Sequence, residues 1–369
     1  MKHIPVPDIP LRRYIDSAGN SVQTLPTQVS TEDLLACYRV MVLIRQFDKK
    51  AVALQRTGQM GTYASSLGQE AISTAIGHTM HANDVLAPYY RDFAAQYMRG
   101  VPLHKHLSFW GGDEFGNQFS GNAAHDLPNC VPIATQLSHA AGIASAMKIR
   151  GEHRAVVVTC GDGATSRGDF YEAINLAGAW QLPMVVVVNN NQWAISVPQK
   201  LQTGAHTIAH KAYAAGIDAC RVDGNDIAAM LDAMRVALDT AWHGKGATLI
   251  EAVSYRLCDH TTADDATRYR NSEELNHAWE FEPIKRLQTW LHANGHWNEQ
   301  KEQELLAECA SQIQHETERY LALQPQRPED FFDYLYEDLP FDLHAQRQQF
   351  IDKFHQRQSH PTGGTHHGR

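Results

Sequence analysis

Two runs of β-branched residues do most to constrain the fold of this chain. AVVVTC at 155–160 and MVVVV at 184–188 are apolar without alternation, the pattern of strands buried on both faces of a parallel sheet. Between them, from about Ser166 to Gln181, residues Phe170, Ala173, Ile174, Ala177 and Trp180 share one face at helical spacing. Strand, helix and strand within roughly 35 residues make a βαβ unit with a right-handed crossover. The pairing recurs downstream, with ACRV at 219–222 before a helix from about Asp226, and then TLIEAVSYR at 248–256. These spacings predict an α/β fold, doubly wound around a mainly parallel sheet.

The flanking segments read differently. Residues 1–30 are rich in Pro and Thr and predict an extended N-terminal arm. A helical pattern over about 31–57 opens with Ser30-Thr31-Glu32-Asp33, which suits a helix N-terminus through capping and dipole effects. A second helix fits Gly68 to Met80, and DVLAPYYRD reads as a short buried strand ending in a polar turn. Residues 111–130 are rich in Gly, Asn and Asp without period, and a loop of that length is more often functional or partner-facing than idle. From about Asn271 the chain turns charged and helical, ending in SHPTGGTHHGR, which predicts frayed chain. The division is therefore an arm at 1–30, an α/β domain with a helical C-terminal part at 31–345, and a polar tail at 346–369.

Composition excludes several classes of partner. The formal net charge of -9 argues against a nucleic-acid backbone or an anionic membrane as the main partner. No apolar run approaches the ~20 residues that a membrane helix needs. The six cysteines are widely spaced without a C-x-x-C pair, which speaks against a disulfide framework or a zinc site and for a cytoplasmic protein.

Chemistry concentrates at the ends of the two central strands. Ligands of an open parallel sheet bind outside the carboxyl ends of its strands. The first run ends in Gly161-Asp162-Gly163 and the second in Asn189-Asn190-Asn191. Neighbouring strands would bring Asp162 and Asn191 out at one edge. A carboxylate, an amide oxygen and a turn carbonyl then form one side of an ion, leaving the other side for phosphate oxygens and water. That division suits Mg²⁺. The glycines beside Asp162 allow close backbone approach to a diphosphate, and the helix that follows offers free N–H groups. Taken alone, a G-D-G or an Asn cluster is common turn chemistry; their placement at two strand ends one crossover apart is the stronger signal. No G-x-x-x-x-G-K-[ST] loop is present, and GDGATSRG lacks the dinucleotide spacing.

The stretch GDGATSRGDFYEAINLAGAWQLPMVVVVNNNQWAIS resembles the thiamine-diphosphate signature, GDG followed some 30 residues later by NN. YASSLGQEA, PYYRD, PIATQ, RVDGND, TLIEAVSYR and HTTADDATRYR extend the resemblance, in order, across roughly residues 35–340. Together they look like the alpha subunit of the decarboxylating component of 2-oxo-acid dehydrogenase complexes, of the pyruvate and branched-chain type. The resemblance implies the thiamine-diphosphate-binding fold, with Mg²⁺ held by Asp162, the Asn191 side chain and the backbone carbonyl of Trp193. It implies diphosphate contacts from the Gly163 and Ala164 amides, and cofactor contacts from Tyr90 and Arg91, the arginine as a charge-assisted phosphate donor. Ile133 would wedge between the two cofactor rings. His260 would touch the diphosphate near the reactive carbon and serve as the catalytic residue that assists acyl transfer.

A thiamine enzyme must anchor the diphosphate and also activate the aminopyrimidine with a carboxylate. After Asn271 too little chain remains for a second doubly wound module, so the activating glutamate is expected from a separate beta subunit. The resemblance implies an α₂β₂ assembly that decarboxylates a small 2-oxo acid and passes the acyl group to a lipoyl-bearing acyltransferase, with Asp264, Asp265, Arg268 and Arg270 facing the lipoyl domain. GTYASSLGQEA and DDATRYR look closer to pyruvate-type members. The alternatives are a branched-chain alpha subunit, a non-catalytic thiamine-fold partner, and a Mg²⁺-dependent phosphatase or nucleotide enzyme built on Asp162.

Overall fold

The computed structural model describes residues 8–324 and 326–359. The strands are β1 (Leu11–Arg12), β2 (Val85–Ala87), β3 (Val156–Gly161), β4 (Met184–Asn190), β5 (Trp193–Ala194), β6 (Val197–Pro198), β7 (Asp218–Asp223) and β8 (Thr248–Val253). Six of them form one sheet in the order β1-β7-β8-β4-β3-β2, and every neighbouring pair is parallel. β5 and β6 pair antiparallel as a separate hairpin.

Burial on both faces explains why the central strands lack alternation. Val157, Val185, Val187, Ile250 and Ala252 join one core with the helices Thr31–Arg56, Glu70–Thr79 and Ile227–Trp242. Val156, Val158, Met184, Val186, Val188 and Leu249 join a second core with the helices Thr135–Arg150 and Gly168–Ala179. Each buried valine contributes roughly 1.5–3 kcal/mol from removal of apolar surface, which favours this two-sided layering over any arrangement that exposes a face.

Helix starts follow local chemistry. Ser30 Oγ accepts from the Asp33 N–H at 3.1 Å while the Asp33 carboxylate accepts from the Ser30 N–H at 2.8 Å, a capping box that begins Thr31–Arg56. Asp226 caps Ile227–Trp242 through Oδ1, and its Oδ2 accepts from the N–H groups of Tyr14 at 2.6 Å and Ile15 at 2.8 Å. That second use fastens part of the N-terminal segment to the domain, where Leu11–Arg12 adds an edge strand beside β7.

One sequence expectation needs correction. Trp180 does not share the buried face of its helix and is 53% exposed. It stands at the C-cap, beyond Ala179, where the chain leaves helical geometry and spacing no longer sets direction. The polar tail expected from 346 begins inside a helix, Phe341–Ser359. Its Phe350 ring packs 5.3 Å from Phe331 and 6.0 Å from Phe332, an apolar anchor within a polar sequence. The arm before residue 8 and the segment after Ser359 lie outside the described residues. No described helix is long and apolar enough to cross a membrane.

Candidate functional site

β3 and β4 lie side by side with Gly161 opposite Asn189, so their carboxyl ends emerge together. β3 runs directly into a 3-10 turn, Asp162–Ser166, and the Thr165 hydroxyl donates to the Asp162 carbonyl at 2.8 Å. This turn lies tight against β5. A Cβ at Gly163 would meet the Ala194 Cβ at 2.6 Å, so the position requires glycine. After β4 the chain folds back. The Asn191 Oδ1 accepts from the Trp193 N–H at 3.2 Å, across Gln192 at φ 71°.

Asp162 and Asn191 thereby line one cavity of about 210 Å³, and Tyr90, Arg91, Ile133, Gly163, Ala164, Trp193 and His260 line it as well. Every site residue expected from the sequence is brought to this one place. Ala134 (φ 72°) and Ile195 (φ 55°) also line it, and with Gln192 they account for three of the four non-glycine residues with left-handed backbone among those described. Such conformations cost of order 1–3 kcal/mol each and gather where function constrains the backbone.

The charge pattern is unusual. Asp162 is 2% exposed, and its carboxylate takes a hydrogen bond from Gln202 Nε2 at 2.9 Å. Burial pushes its carboxyl up to about 6, against the lowering effect of that hydrogen bond. Asp162 has no ion-pair partner among the described residues, and a buried carboxylate in that state is an energetic deficit that a divalent cation would remove. Among the described residues no cluster of three or more His, Cys, Asp or Glu could hold a metal. A cation at this cavity would therefore take one carboxylate, the Asn191 amide oxygen, a backbone carbonyl and oxygens from its ligand, which is the donor set of Mg²⁺. The residues present fit the group. The Trp193 indole N–H is engaged with the Tyr255 hydroxyl at 3.1 Å, which leaves only the backbone of that residue for a ligand role.

Positive charge gathers on the other wall. Arg91 is 2% exposed and Arg256 is fully buried. Arg91 donates to the carbonyls of Ser65 and His260, and approaches His260 Nδ1 at 3.2 Å. Arg256 donates to the Ile195 carbonyl at 2.9 Å and the Tyr269 hydroxyl at 2.7 Å. Neither guanidinium has a carboxylate within ion-pair distance among the described residues; Arg91 lines the cavity as a buried cation suited to an anion, and Arg256 reaches the same His260 Nδ1 at 3.5 Å. His260 stands between them. Burial, then the charges of Arg91 and Arg256, hold its imidazole down at about 4, so it is neutral at pH 7. With Nδ1 accepting from Arg91, the ring proton resides on Nε2.

The Tyr90 ring lies 5.1 Å from the Arg91 guanidinium and 6.3 Å from the His260 ring, so it packs against both. Ile133, at 44% exposed, is no core residue, and it presents an apolar side chain to the cavity. Asp264 and Arg270 are turned partly inward: the Asp264 carboxylate accepts from the His260 N–H at 2.8 Å, and Arg270 donates to the carbonyls of Arg256 and Cys258. Asp265 and Arg268 remain exposed.

Sequence reasoning missed Gln69, Gln202 and Arg256. Arg256 closes the strand block TLIEAVSYR, and an arginine after a buried strand end was the available signal. The two glutamines carry no motif signal beyond the GQEA fragment.

Residues 38–329 match the family described as the dehydrogenase E1 component. The pyruvate dehydrogenase E1 component subunit alpha of Staphylococcus aureus is 37% identical over 344 residues, covering 92% of each chain. The protein of the same name from Staphylococcus epidermidis is 36% identical over 344 residues, again with 92% of each chain covered. That from Bacillus cereus is 36% identical over 328 residues, 88% of each chain.

Proposed function

The chain belongs to the dehydrogenase E1 component family as the alpha subunit of a thiamine-diphosphate-dependent 2-oxo-acid dehydrogenase, and from that premise we propose that it acts on pyruvate. One observation carries the site assignment: a buried Asp162, with no ion-pair partner among the described residues, shares a single cavity with Asn191, Arg91 and His260.

Mg²⁺ would be held by the Asp162 carboxylate, the Asn191 Oδ1 and the Trp193 carbonyl. The Gly163 and Ala164 amides and the Arg91 guanidinium would hold the diphosphate, with Tyr90 and Ile133 against the organic part. When bound, thiamine diphosphate supplies the electron sink for breaking the bond between the carboxylate and the oxo carbon. This chain's own residues bind and orient. The rigid walls orient the reacting groups, and the neutral His260, with its proton on Nε2, keeps a hydrogen-bond donor at the cavity for the acyl-transfer step. Because that imidazole is uncharged at neutral pH, it adds no repulsion to the cations already gathered there.

A partner completes the site. Val131, Ile133, Ile195, Val197 and Leu201 are 40–74% exposed, and two of them, Ile133 and Ile195, line the cavity itself. Apolar residues at a cofactor mouth match an interface core, and the beta subunit of an α₂β₂ assembly is the proposed occupant, bringing the aminopyrimidine-activating carboxylate. The acyl group then passes to a lipoyl-bearing acyltransferase. Asp265 and Arg268 are exposed for that contact.

Reconstitution tests the reading. The chain with its beta subunit and acyltransferase should reductively acylate the lipoyl groups from pyruvate faster than from 3-methyl-2-oxobutanoate, and the chain alone should be inactive. A preference for the branched substrate would make this the alpha subunit of a branched-chain enzyme. Full activity without a partner would refute the divided site.

A further inference from the structure

Two side chains with no role so far each touch one of the side chains assigned to Mg²⁺. Gln202 Nε2 donates to Asp162 Oδ2 at 2.9 Å and to the Val197 carbonyl at 3.0 Å. The Gln202 backbone carbonyl in turn accepts from the Ser166 hydroxyl at 3.1 Å, so the residue is tied at two points to the turn that carries Asp162. The direction of the amide is set by these bonds. A carboxylate and a carbonyl are both acceptors, and only the NH₂ end can satisfy them.

Gln69 does the converse for Asn191. It is 2% exposed, and its Oε1 accepts from Asn191 Nδ2 at 3.0 Å, Asn189 Nδ2 at 2.9 Å and the Tyr89 hydroxyl at 3.4 Å. Because the Tyr89 oxygen already accepts from Asn189 Nδ2 at 2.7 Å, its proton points to Gln69. Three donors converging on one oxygen fix the orientation of the Gln69 amide, since the reversed amide would set NH₂ against donors. The consequence reaches Asn191. Its NH₂ must face Gln69, and its oxygen is the end left for the cavity side. A hard cation binds an amide oxygen and never the NH₂.

We propose that Gln69 and Gln202 are positioning residues for the divalent cation, Gln69 by presenting the Asn191 oxygen and Gln202 by holding the Asp162 carboxylate. The inference rests on the assignment of Asp162 and Asn191 as ligands. Gln202 Oε1 is buried and without a partner among the described residues, and a water carried by the cation is its natural donor. Loss of Gln202 frees the Asp162 carboxylate to rotate, and loss of Gln69 leaves the Asn191 amide to the weaker hold of the Trp193 N–H at 3.2 Å. Mg²⁺, which demands near-ideal octahedral geometry, suffers more from that freedom than Ca²⁺, which accepts irregular shells.

The test uses the complex of the full chain with its beta subunit and measures the Mg²⁺ or Ca²⁺ concentration needed for half-maximal thiamine diphosphate binding, by calorimetry. Gln69→Leu and Gln202→Leu should raise the Mg²⁺ requirement by roughly tenfold to a hundredfold and the Ca²⁺ requirement by clearly less. Gln69→Glu, which keeps the acceptor, should stay within about threefold of the parent. Should the buried Gln69→Leu variant not fold, the half-buried Gln202 and the Gln69→Glu variant carry the comparison. Leucine variants that leave the Mg²⁺ requirement within about threefold, or that raise both requirements equally, overturn the proposal. Asp162→Ala separates the two levels. If it abolishes Mg²⁺-dependent binding while the glutamine variants are silent, only this inference fails. If binding survives it, the ligand assignment itself is wrong.

Discussion

Asp92 gives the most quantitative prediction. It is buried behind Tyr90 and Arg91, where its carboxylate accepts from the Thr159 hydroxyl and from the Tyr89 N–H at 3.2 Å, fastening β3 to the loop that presents the cationic wall. No cation stands within ion-pair distance of it among the described residues. Burial pushes its carboxyl from 3.8 up to about 7, against the lowering effect of both hydrogen bonds. Because the folded value lies above the unfolded one, the folded state holds the extra proton between those limits. The associated stability is complete below about pH 4 and is lost as pH rises through about 7. At about 1.4 kcal/mol per pH unit, the whole gap is worth about 4 kcal/mol, of which about 3 kcal/mol falls between pH 5 and pH 8. Asp92→Asn removes the titration and keeps an oxygen to accept both bonds. Urea unfolding of both proteins, without cofactor, at pH 5 and pH 8 should show the stability of the variant relative to the parent rising by about 3 kcal/mol at the higher pH. A relative stability that stays level or falls over that interval would refute the reasoning.

Other outcomes follow from the same geometry. Gly163→Ala forces a Cβ within 2.6 Å of the Ala194 Cβ, and should cost roughly 1–3 kcal/mol and lower the thermal midpoint; an unchanged midpoint contradicts the close approach. Lys211 Nζ donates to the Thr165 carbonyl at 2.7 Å and hydroxyl at 2.9 Å, so Lys211→Met should loosen the turn bearing Asp162 and cost roughly 1–3 kcal/mol in chemical denaturation, whereas an unchanged midpoint would show that Lys211 does not hold it. The His260 imidazole should titrate near 4 by NMR, so its burial weakens the fold as pH falls below 6.5, with the loss complete below about 4; a midpoint near 6.5 would place the ring in open solvent.

The sheet and the heart of the site were legible in the sequence for a common reason. Burial on both faces writes itself as unbroken runs such as Val156–Val158 and Val185–Val188, and the strand ends then place Asp162 and Asn191 side by side. What stayed hidden depends on contacts between distant segments. Leu11–Arg12 is too short for any period to mark it as a strand, and Tyr14 and Ile15 just after it are held by Asp226, more than 200 residues away. Gln69 and Gln202 brace their targets from 122 and 40 residues away. Glutamine is an ordinary helix or loop residue, so nothing local distinguishes these two. Trp180 followed helical spacing up to the cap and failed there, because periodicity has no meaning once the backbone has left the helix.

The ligand assignment is open to direct view. Crystals of the complex with its beta subunit, grown with thiamine diphosphate and Mn²⁺ in place of Mg²⁺, should give one anomalous peak in the cavity. That peak should lie at bonding distance, about 2.1 Å for a Mg²⁺-like ion, from an Asp162 carboxylate oxygen, the Asn191 Oδ1 and the Trp193 carbonyl. A peak bound only by the diphosphate, or by side chains other than Asp162 and Asn191, would contradict the account.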